Sequence, residues 1–438
     1  MKFCMLTTFF GPHSFGGDAA YVERLSRALA GRGHEVHVIY CLDSFESLRG
    51  DHPERSYEPC PGVTLHPLKS GLGVLSPLAT QVSGRPWLKK RQIEEIVNQV
   101  RPDVIHFHNL SLIGGPGLLD LGGKGNSANR PVRLMTAHEH WLHCPMHLMW
   151  KNDEKFCDQR TCVSCCLKGN RPPQYWRYTG LIDRKIQMLD GLIFPSRNAM
   201  NHHAHLKLKV PQHHLPYFLP NGWENPAPEN KANHDSTNTQ NRPYIAAAGR
   251  LVRMKGFQDL IKIMQRISHI DLRIAGTGPF EAELRTLASG MANVKFEGLC
   301  DRKALVRLFS GAKAVAVPSL FPETFGYVVL EAFAVKTPVI VHRGGGAIAE
   351  TGEMSGGGLG YDTEDDLEQA ILSLVHDHDL RESLGNQGFS LRSGAWSESS
   401  HLDKYFGLID DAKERHLSHH PSTHTTKPHL TKATAKSK

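Results

Sequence analysis

The chain has 438 residues, 40% hydrophobic and 22% charged, enough for two domains with separate cores and unlike a disordered or fibrous chain. No run of about 18 apolar residues occurs, so no transmembrane helix is expected. The net charge of +7 is concentrated in residues 415–438, which hold five basic side chains and no acidic one, so it says little about the rest of the chain. That tail, rich in His, Thr, Ser and Lys, is expected to be disordered.

Residues 2–7 read as a buried first strand. The apolar run is too short for a signal peptide and leads into a glycine turn, which favours a cytoplasmic location. Gly16-Gly17-Asp18 opens a helical pattern over 18–32, with Tyr21, Val22, Leu25 and Leu29 on one face and Gly33 as the stop. The glycines permit close approach, and the helix start favours a phosphate. Strands are predicted at 35–40, 104–107, 132–136 and 191–195, separated by amphipathic stretches, the pattern of a parallel sheet with crossover helices. Trp87-Leu88-Lys89-Lys90-Arg91 reads as a helix start, with contact to an anionic membrane face as the second reading.

In Asp103-Val104-Ile105-His106-Phe107-His108-Asn109, alternation puts His106 and His108 on one strand face at its carboxyl end. Thr136-Ala137-His138-Glu139 closes the next predicted strand. Histidines so placed can move a proton near neutral pH, or can simply satisfy local backbone groups. An insertion at about 141–175 contains Cys144, Cys157, Cys162, Cys165 and Cys166. Cys162 and Cys165 have metal-ligand spacing, and a structural zinc at Cys144, Cys157, Cys162 and Cys165 is one reading. Free thiols are the other; the spacing is not that of a standard double knuckle, and His143 and His147 compete as ligands.

Residues 201–243 end in a polar stretch that reads as a linker. Beyond it the alternation repeats, with strands at 244–248, 272–275, 294–296, 314–317 and 339–341 and helices at 258–267 and 280–289. The pattern implies two successive doubly wound α/β domains, 1–200 and 244–395, with a cleft between them. Helical spacing returns at 397–411 through Leu402, Tyr405, Phe406 and Ile409. Gly249-Arg250-Leu251 and Lys255-Gly256 follow the strand at 244–248, at the carboxyl edge where such sheets bind ligands, and offer two cations to phosphate oxygens. Gly276-Thr277-Gly278-Pro279 reads as a tight structural turn and Gly344-Gly345-Gly346 as a loop after the strand at 339–341.

The most informative stretch is Pro318-Ser319-Leu320-Phe321-Pro322-Glu323-Thr324-Phe325-Gly326-Tyr327-Val328-Val329-Leu330-Glu331-Ala332. If helical, the eight-residue step from one glutamate to the other rises roughly 12 Å, the reach of a nucleoside diphosphate from ribose to sugar. The frame resembles the Glu-seven-residues-Glu signature of retaining GT-B glycosyltransferases, particularly family four (glycosyl transferases group 1). The same family has a G-R-L…K-G motif, a D-V-x-H-x-H segment, and a T-x-H-D segment in which Glu139 here replaces the usual Asp. Some members also have a W-x-x-C-P segment, matched by Trp141 to Pro145.

The resemblance spans roughly residues 1–412 and is strongest over 249–346. It implies a GT-B fold, two Rossmann-like domains facing a central cleft, with a terminal helix at 396–412 crossing back to the first. It implies retaining transfer of a sugar from a UDP, GDP or ADP sugar to an acceptor hydroxyl, in polysaccharide or lipid-linked glycan synthesis, without a catalytic metal or cofactor. Glu331 is then expected to accept the ribose hydroxyls, Glu323 to orient the sugar, and Arg250 and Lys255 to stabilise the departing diphosphate. Gly16, Gly17, Thr324, Phe325, Gly326 and Tyr327 would line the donor, and His108, His138 and His106 the sugar or acceptor side. Peripheral contact with the inner membrane face is compatible with such a role. Rival readings are a GT-B epimerase, a non-catalytic sugar-nucleotide binder, and a zinc- and nucleic-acid-binding protein; no dense basic stripe favours the last, so no nucleic-acid partner is expected.

Overall fold

The computed structural model describes residues 1–14, 16–49, 57–58, 60–123, 130–225 and 242–418. Most of the polar linker and the tail beyond residue 418 therefore lie outside the described residues. The first sheet holds β1 (Lys2–Leu6), β2 (Glu35–Cys41), β3 (Val63–Leu68), β4 (Val104–Phe107) and β5 (Val132–Thr136). A small hairpin of β6 (Trp150–Lys151) and β7 (Lys155–Phe156) precedes β8 (Gly191–Phe194) and β9 (Gln212–His214), which complete that sheet. The second sheet holds β10 (Tyr244–Ala248), β11 (Asp271–Ala275), β12 (Val294–Gly298), β13 (Ala314–Val317), β14 (Val339–His342) and β15 (Gly358–Tyr361).

All pairings in both sheets are parallel, in the orders β3-β2-β1-β4-β5-β8-β9 and β12-β11-β10-β13-β14-β15. The central strands are apolar throughout because helices cover both faces. Every residue of β4, β5, β8 and β13 is buried. The helix Phe257–Arg266 shows the complementary pattern, burying Phe257, Leu260, Ile261, Ile263 and Met264 against the second sheet.

Periodicity located the buried strands but missed β3, β9 and β15. β3 and β9 are edge strands: β3 is mostly half-exposed, its apolar residues interrupted by Thr64, His66 and Pro67, and β9 is Gln-His-His, so neither shows an apolar run. β15 reads Gly-Leu-Gly-Tyr. A Cβ on Gly358 would lie 2.3 Å from the Val339 carbonyl oxygen, so close strand approach sets this sequence rather than strand propensity.

The closing helix runs from Glu398 to Ser418, farther than the sequence pattern indicated. Residues 415–418, expected to be disordered, are its last turn. The Arg415 guanidinium donates to the Asp190 carbonyl and His416 Nε2 lies 2.9 Å from the Asp190 carboxylate, which anchors that end. Leu402, Tyr405, Ile409 and Ala412 enter the same apolar cluster as Phe3, Met5 and Leu25, so the helix packs on the first sheet. Polar contacts fix its register: His401 bonds the Tyr21 hydroxyl at 3.0 Å, and Tyr405 bonds His106 Nδ1 at 2.9 Å. Tyr405→Phe would leave that buried imidazole nitrogen without a partner. It should lower stability by about 1–3 kcal/mol in denaturant unfolding, with little change in secondary structure by circular dichroism.

Candidate functional site

In each sheet the strand order reverses beside the first strand, at β1/β4 and at β10/β13, leaving a crevice at the carboxyl edge. The loops leaving these strands carry the residues singled out from the sequence. Gly16 and Gly17 follow β1, His108 and Asn109 follow β4, and His138 and Glu139 follow β5. Arg250 and Lys255 follow β10, and the two-glutamate segment follows β13. The two edges meet: Thr324 Oγ1 donates to the His138 carbonyl oxygen at 2.6 Å, and His140 Nε2 lies 2.9 Å from the Pro322 carbonyl oxygen.

The helix expected after Thr324 is present, but the two glutamates do not share it. Only Tyr327–Ala334 is helical, and Glu323 sits in the loop before it. Gly326, with φ 90°, is the turn into the helix. Glu323 instead pairs with the glycine loop after β14, its N–H donating to Gly345 and its carbonyl accepting from Ala347. Gly346 makes this possible, since a Cβ there would stand 2.6 Å from Pro322 Cα at φ +73°.

The Glu323 carboxylate accepts from Lys255 Nζ at 2.9 Å and from the Ser319 hydroxyl. Lys255 ends a short turn closed by Gly256 (φ +72°), where a Cβ would collide with the Pro318 carbonyl oxygen at 1.9 Å. The cation, its strand and the glutamate loop are thus one packed unit. Arg250 stands exposed on the same loop. Gly276 and Gly278 form a turn against Gly249–Leu251, with Leu251 N–H donating to the Thr277 carbonyl.

Glu331 lies on the helix itself, partly buried, and burial raises its carboxyl above the usual range despite the nearby Arg24 guanidinium. Phe325 is a core side chain, so only its backbone can meet a ligand. Tyr327 lies against Gly17, where a Cβ would come within 3.3 Å of its ring.

The three histidines differ in what they have left to offer. His106 is fully buried, bonded to Thr136 Oγ1 through Nε2 and to Tyr405 through Nδ1, so it is a core residue and not part of a ligand wall. His138 is also committed at both nitrogens, to His108 at 2.9 Å and to the Tyr217 hydroxyl at 2.5 Å. His108 keeps a buried Nε2 without a partner, beside a small space lined by Asn109, Thr136, His138, Glu139 and Trp141. Burial holds His108 well below its ordinary pKa and His138 at about 3, so both are neutral at pH 7. They can share hydrogen bonds but do not carry a proton to be donated as imidazolium.

The structure adds residues that the sequence did not single out as site residues. Asp18, at the helix start, is raised to about 6, mainly by burial and also by the Glu139 charge, with the Asn109 amide partly offsetting both. Its place after the glycine pair was a usable signal. Ser319 stands in the two-glutamate stretch itself, four residues before Glu323, and was legible there; Arg24 and Tyr217 gave no signal, because the fold brings them in from elsewhere.

The residues 15–216 match the Glycosyltransferase Family 4 profile, and residues 229–390 match Glycosyl transferases group 1. A D-inositol 3-phosphate glycosyltransferase of Pseudarthrobacter chlorophenolicus is 27% identical over 93% of both chains. A GDP-mannose-dependent phosphatidylinositol monomannoside mannosyltransferase of Corynebacterium glutamicum is 32% identical over 36% of this chain and 45% of its own. Among solved structures, the sucrose-phosphate synthase of Thermosynechococcus elongatus superposes with a TM-score of 0.68 at 17% identity, covering 94% of this chain and 99% of the other.

The chain belongs to the GT-B glycosyltransferases. It moves a sugar from a nucleotide-sugar donor to an acceptor. Among the described residues of this glycosyltransferase, no helix is long and apolar enough to cross a membrane. Trp87 and Leu88 are exposed just before the helix Lys90–Val100, but Lys89 is buried in an ion pair with Asp43 at 2.8 Å and cannot meet a membrane. All nine cysteines are free thiols. Cys144, Cys157, Cys162 and Cys165 line one cavity, yet among the described residues no three His, Cys, Asp or Glu side chains form a ready-made metal site.

The buried histidines set the acid response of this glycosyltransferase. His106, His108, His138, His140 and His401 are all depressed by burial, so the unfolded chain binds more protons below its own histidine pKa of about 6.5. Their contribution to stability is complete above that pH and is lost as pH falls toward the folded values near 3–4. Melting temperatures measured from pH 8 to pH 4.5 should hold nearly level to about 6.5 and then fall steeply. A curve flat to pH 5 would contradict the neutral, buried state.

Proposed function

We propose that the protein is a retaining glycosyltransferase whose second half (244–395) holds the nucleotide sugar and whose first half (1–200) presents an acceptor hydroxyl. The observation carrying this reading is the Lys255–Glu323–Ser319 cluster at the β10/β13 edge, with Glu331 one helix turn beyond the Gly326 bend. A departing diphosphate gains negative charge as the glycosidic bond breaks, and Lys255 with Arg250 would stabilise that charge without a metal. Glu323 would accept from hydroxyls of the transferred sugar and hold Lys255 in line. Glu331, raised by burial, would be stabilised as carboxylate by the ribose hydroxyls it receives.

Neutral His108, with its unpartnered Nε2, would face the sugar or acceptor, and His138 would orient it through their shared bond. The acceptor we infer is a glycan or lipid-linked glycan. The names of its relatives, which include a phosphatidylinositol mannoside mannosyltransferase and a lipopolysaccharide core enzyme of Rhizobium meliloti, support that class.

A panel of UDP-, GDP-, ADP- and dTDP-sugars tested for thermal stabilisation should single out one base, and Glu331→Ala should abolish the shift. With an acceptor found, the product should keep the donor's anomeric configuration by proton NMR, and Lys255→Ala should lower kcat about 100-fold or more while leaving folding intact. Inverted product removes the retaining assignment.

We also assign the four-thiol cavity to a structural metal. Between residues 143 and 173 the buried side chains are Pro145 and Cys166, and His147, Met149, Asn152 and Asp153 adopt positive φ, so this segment is folded with almost no apolar core. Small coreless segments of this kind are generally held by a metal or disulfides. Elemental analysis of protein purified without chelator should give about one zinc per chain, lost in Cys162→Ser/Cys165→Ser. Metal-free protein with nine titratable thiols and unchanged melting overturns the assignment.

A further inference from the structure

Arg24 lies in the first half, on the helix Gly17–Gly31 that starts at the glycine turn, yet its guanidinium ends in the second half. Its Nη2 stands 3.5 Å from Glu331 Oε1, and its centre lies 4.1 Å from the centroid of the Tyr327 ring. Both charged side chains are largely enclosed, 17% and 13% exposed. A buried guanidinium normally meets carboxylate in a bidentate fork. Here the contact is a single bond at the outer limit of hydrogen-bond length. Nη1 of Arg24 is buried with no partner, and so is the Tyr327 hydroxyl a few atoms away. Arg302 adds a second cation within electrostatic reach of Arg24.

Three polar groups from two halves of the protein therefore surround one spot: Arg24 reaches both Glu331 and Tyr327, but the Glu331 bond is long, and Nη1 and the Tyr327 hydroxyl have no hydrogen bond of good geometry. Buried donors are nearly always paired in folded proteins, and exceptions concentrate where a ligand supplies the acceptor. The occupant must offer hydroxyls to Glu331 and acceptor oxygens to Arg24 and Tyr327 at the same place. A ribose with its adjoining phosphate has that pattern: vicinal hydroxyls that donate to a carboxylate, and oxygens that accept from a guanidinium.

We propose that Arg24 is a donor-binding residue supplied from the acceptor half, whose Nη1 donates to the ribose–phosphate of the nucleotide seated on Glu331. Nucleotide binding then completes the Arg24–Glu331 contact and ties the two halves together through the donor. The proposal rests on the reading of Glu331 as the ribose carboxylate, and the experiment separates the two.

Calorimetric titration of the full-length protein with UDP, GDP and ADP identifies the nucleotide that binds. Arg24→Ala, Arg24→Gln, Arg24→Lys and Glu331→Ala are then compared with it. Arg24→Ala should weaken affinity about tenfold or more and raise the donor KM more than it lowers kcat. Arg24→Lys should recover part of the loss, and the melting temperature without nucleotide should move little. Wild-type affinity in Arg24→Ala, with affinity lost in Glu331→Ala, overturns the Arg24 assignment alone. Wild-type affinity in both variants, or no binding by the unmodified protein, overturns both readings. If Arg24→Ala does not fold, Arg24→Gln and Arg24→Lys give the same comparison while keeping most of the side chain's volume.

Discussion

Tyr217 is the contact on which the cleft depends. Its ring stacks on Tyr21 at 4.5 Å from the first half and on Tyr327 at 5.1 Å from the second, with Phe325 at 4.8 Å. Its hydroxyl bonds His138. Aromatic rings bring large apolar area with a polar tip, so one residue both packs the seam and orients an imidazole. The apolar cluster of the first sheet accordingly includes Leu330 and Ala334 from the helix that carries Glu331, and Phe325 from the loop before it. With that seam packed, the loops after β1, β4 and β5 face those after β10 and β13, and short bonds such as Thr324 to His138 can form.

The loops that carry the proposed site residues were legible because each follows a buried parallel strand. An apolar run such as Ala-Val-Ala-Val, ended by Pro318, marks both a strand and its carboxyl edge, and ligands of open α/β sheets bind at that edge. Motif and position therefore agreed for Lys255, Glu323 and Glu331. What failed was the inference of geometry from spacing. Helical periodicity in Val328, Val329 and Leu330 is real but begins only after Gly326, and Pro322 with the glycine bridge to Gly345 keeps Glu323 off the helix.

The histidines show a related limit. Period two correctly placed His106 and His108 on one face, their rings 4.0 Å apart, but could not say that the terminal helix, some 300 residues later, brings Tyr405 to cover the first. Arg24 was invisible for the same reason. On its own helix it reads as one more solvated cation, and only the packing of that helix against Tyr327 encloses it.

The charges in the cleft have a consistent logic once their burial is considered. Its acids are enclosed: Asp18 is raised to about 6 and Glu331 is raised as well, which means neither is fully stabilised by the protein around it. Its imidazoles are neutral. Its cations are Lys255, paired with Glu323, and Arg24, held by Glu331 through one long contact. A site so arranged sets cations and under-stabilised carboxylates side by side, an arrangement suited to a ligand that offers both acceptor oxygens and hydroxyl donors. Such preorganisation favours a ligand carrying both features on adjacent atoms over one with either alone, because each half of the cleft contributes contacts that the other cannot replace. Two of the buried polar groups left unmet, Nη1 of Arg24 and the Tyr327 hydroxyl, lie where the two halves meet, as that division requires.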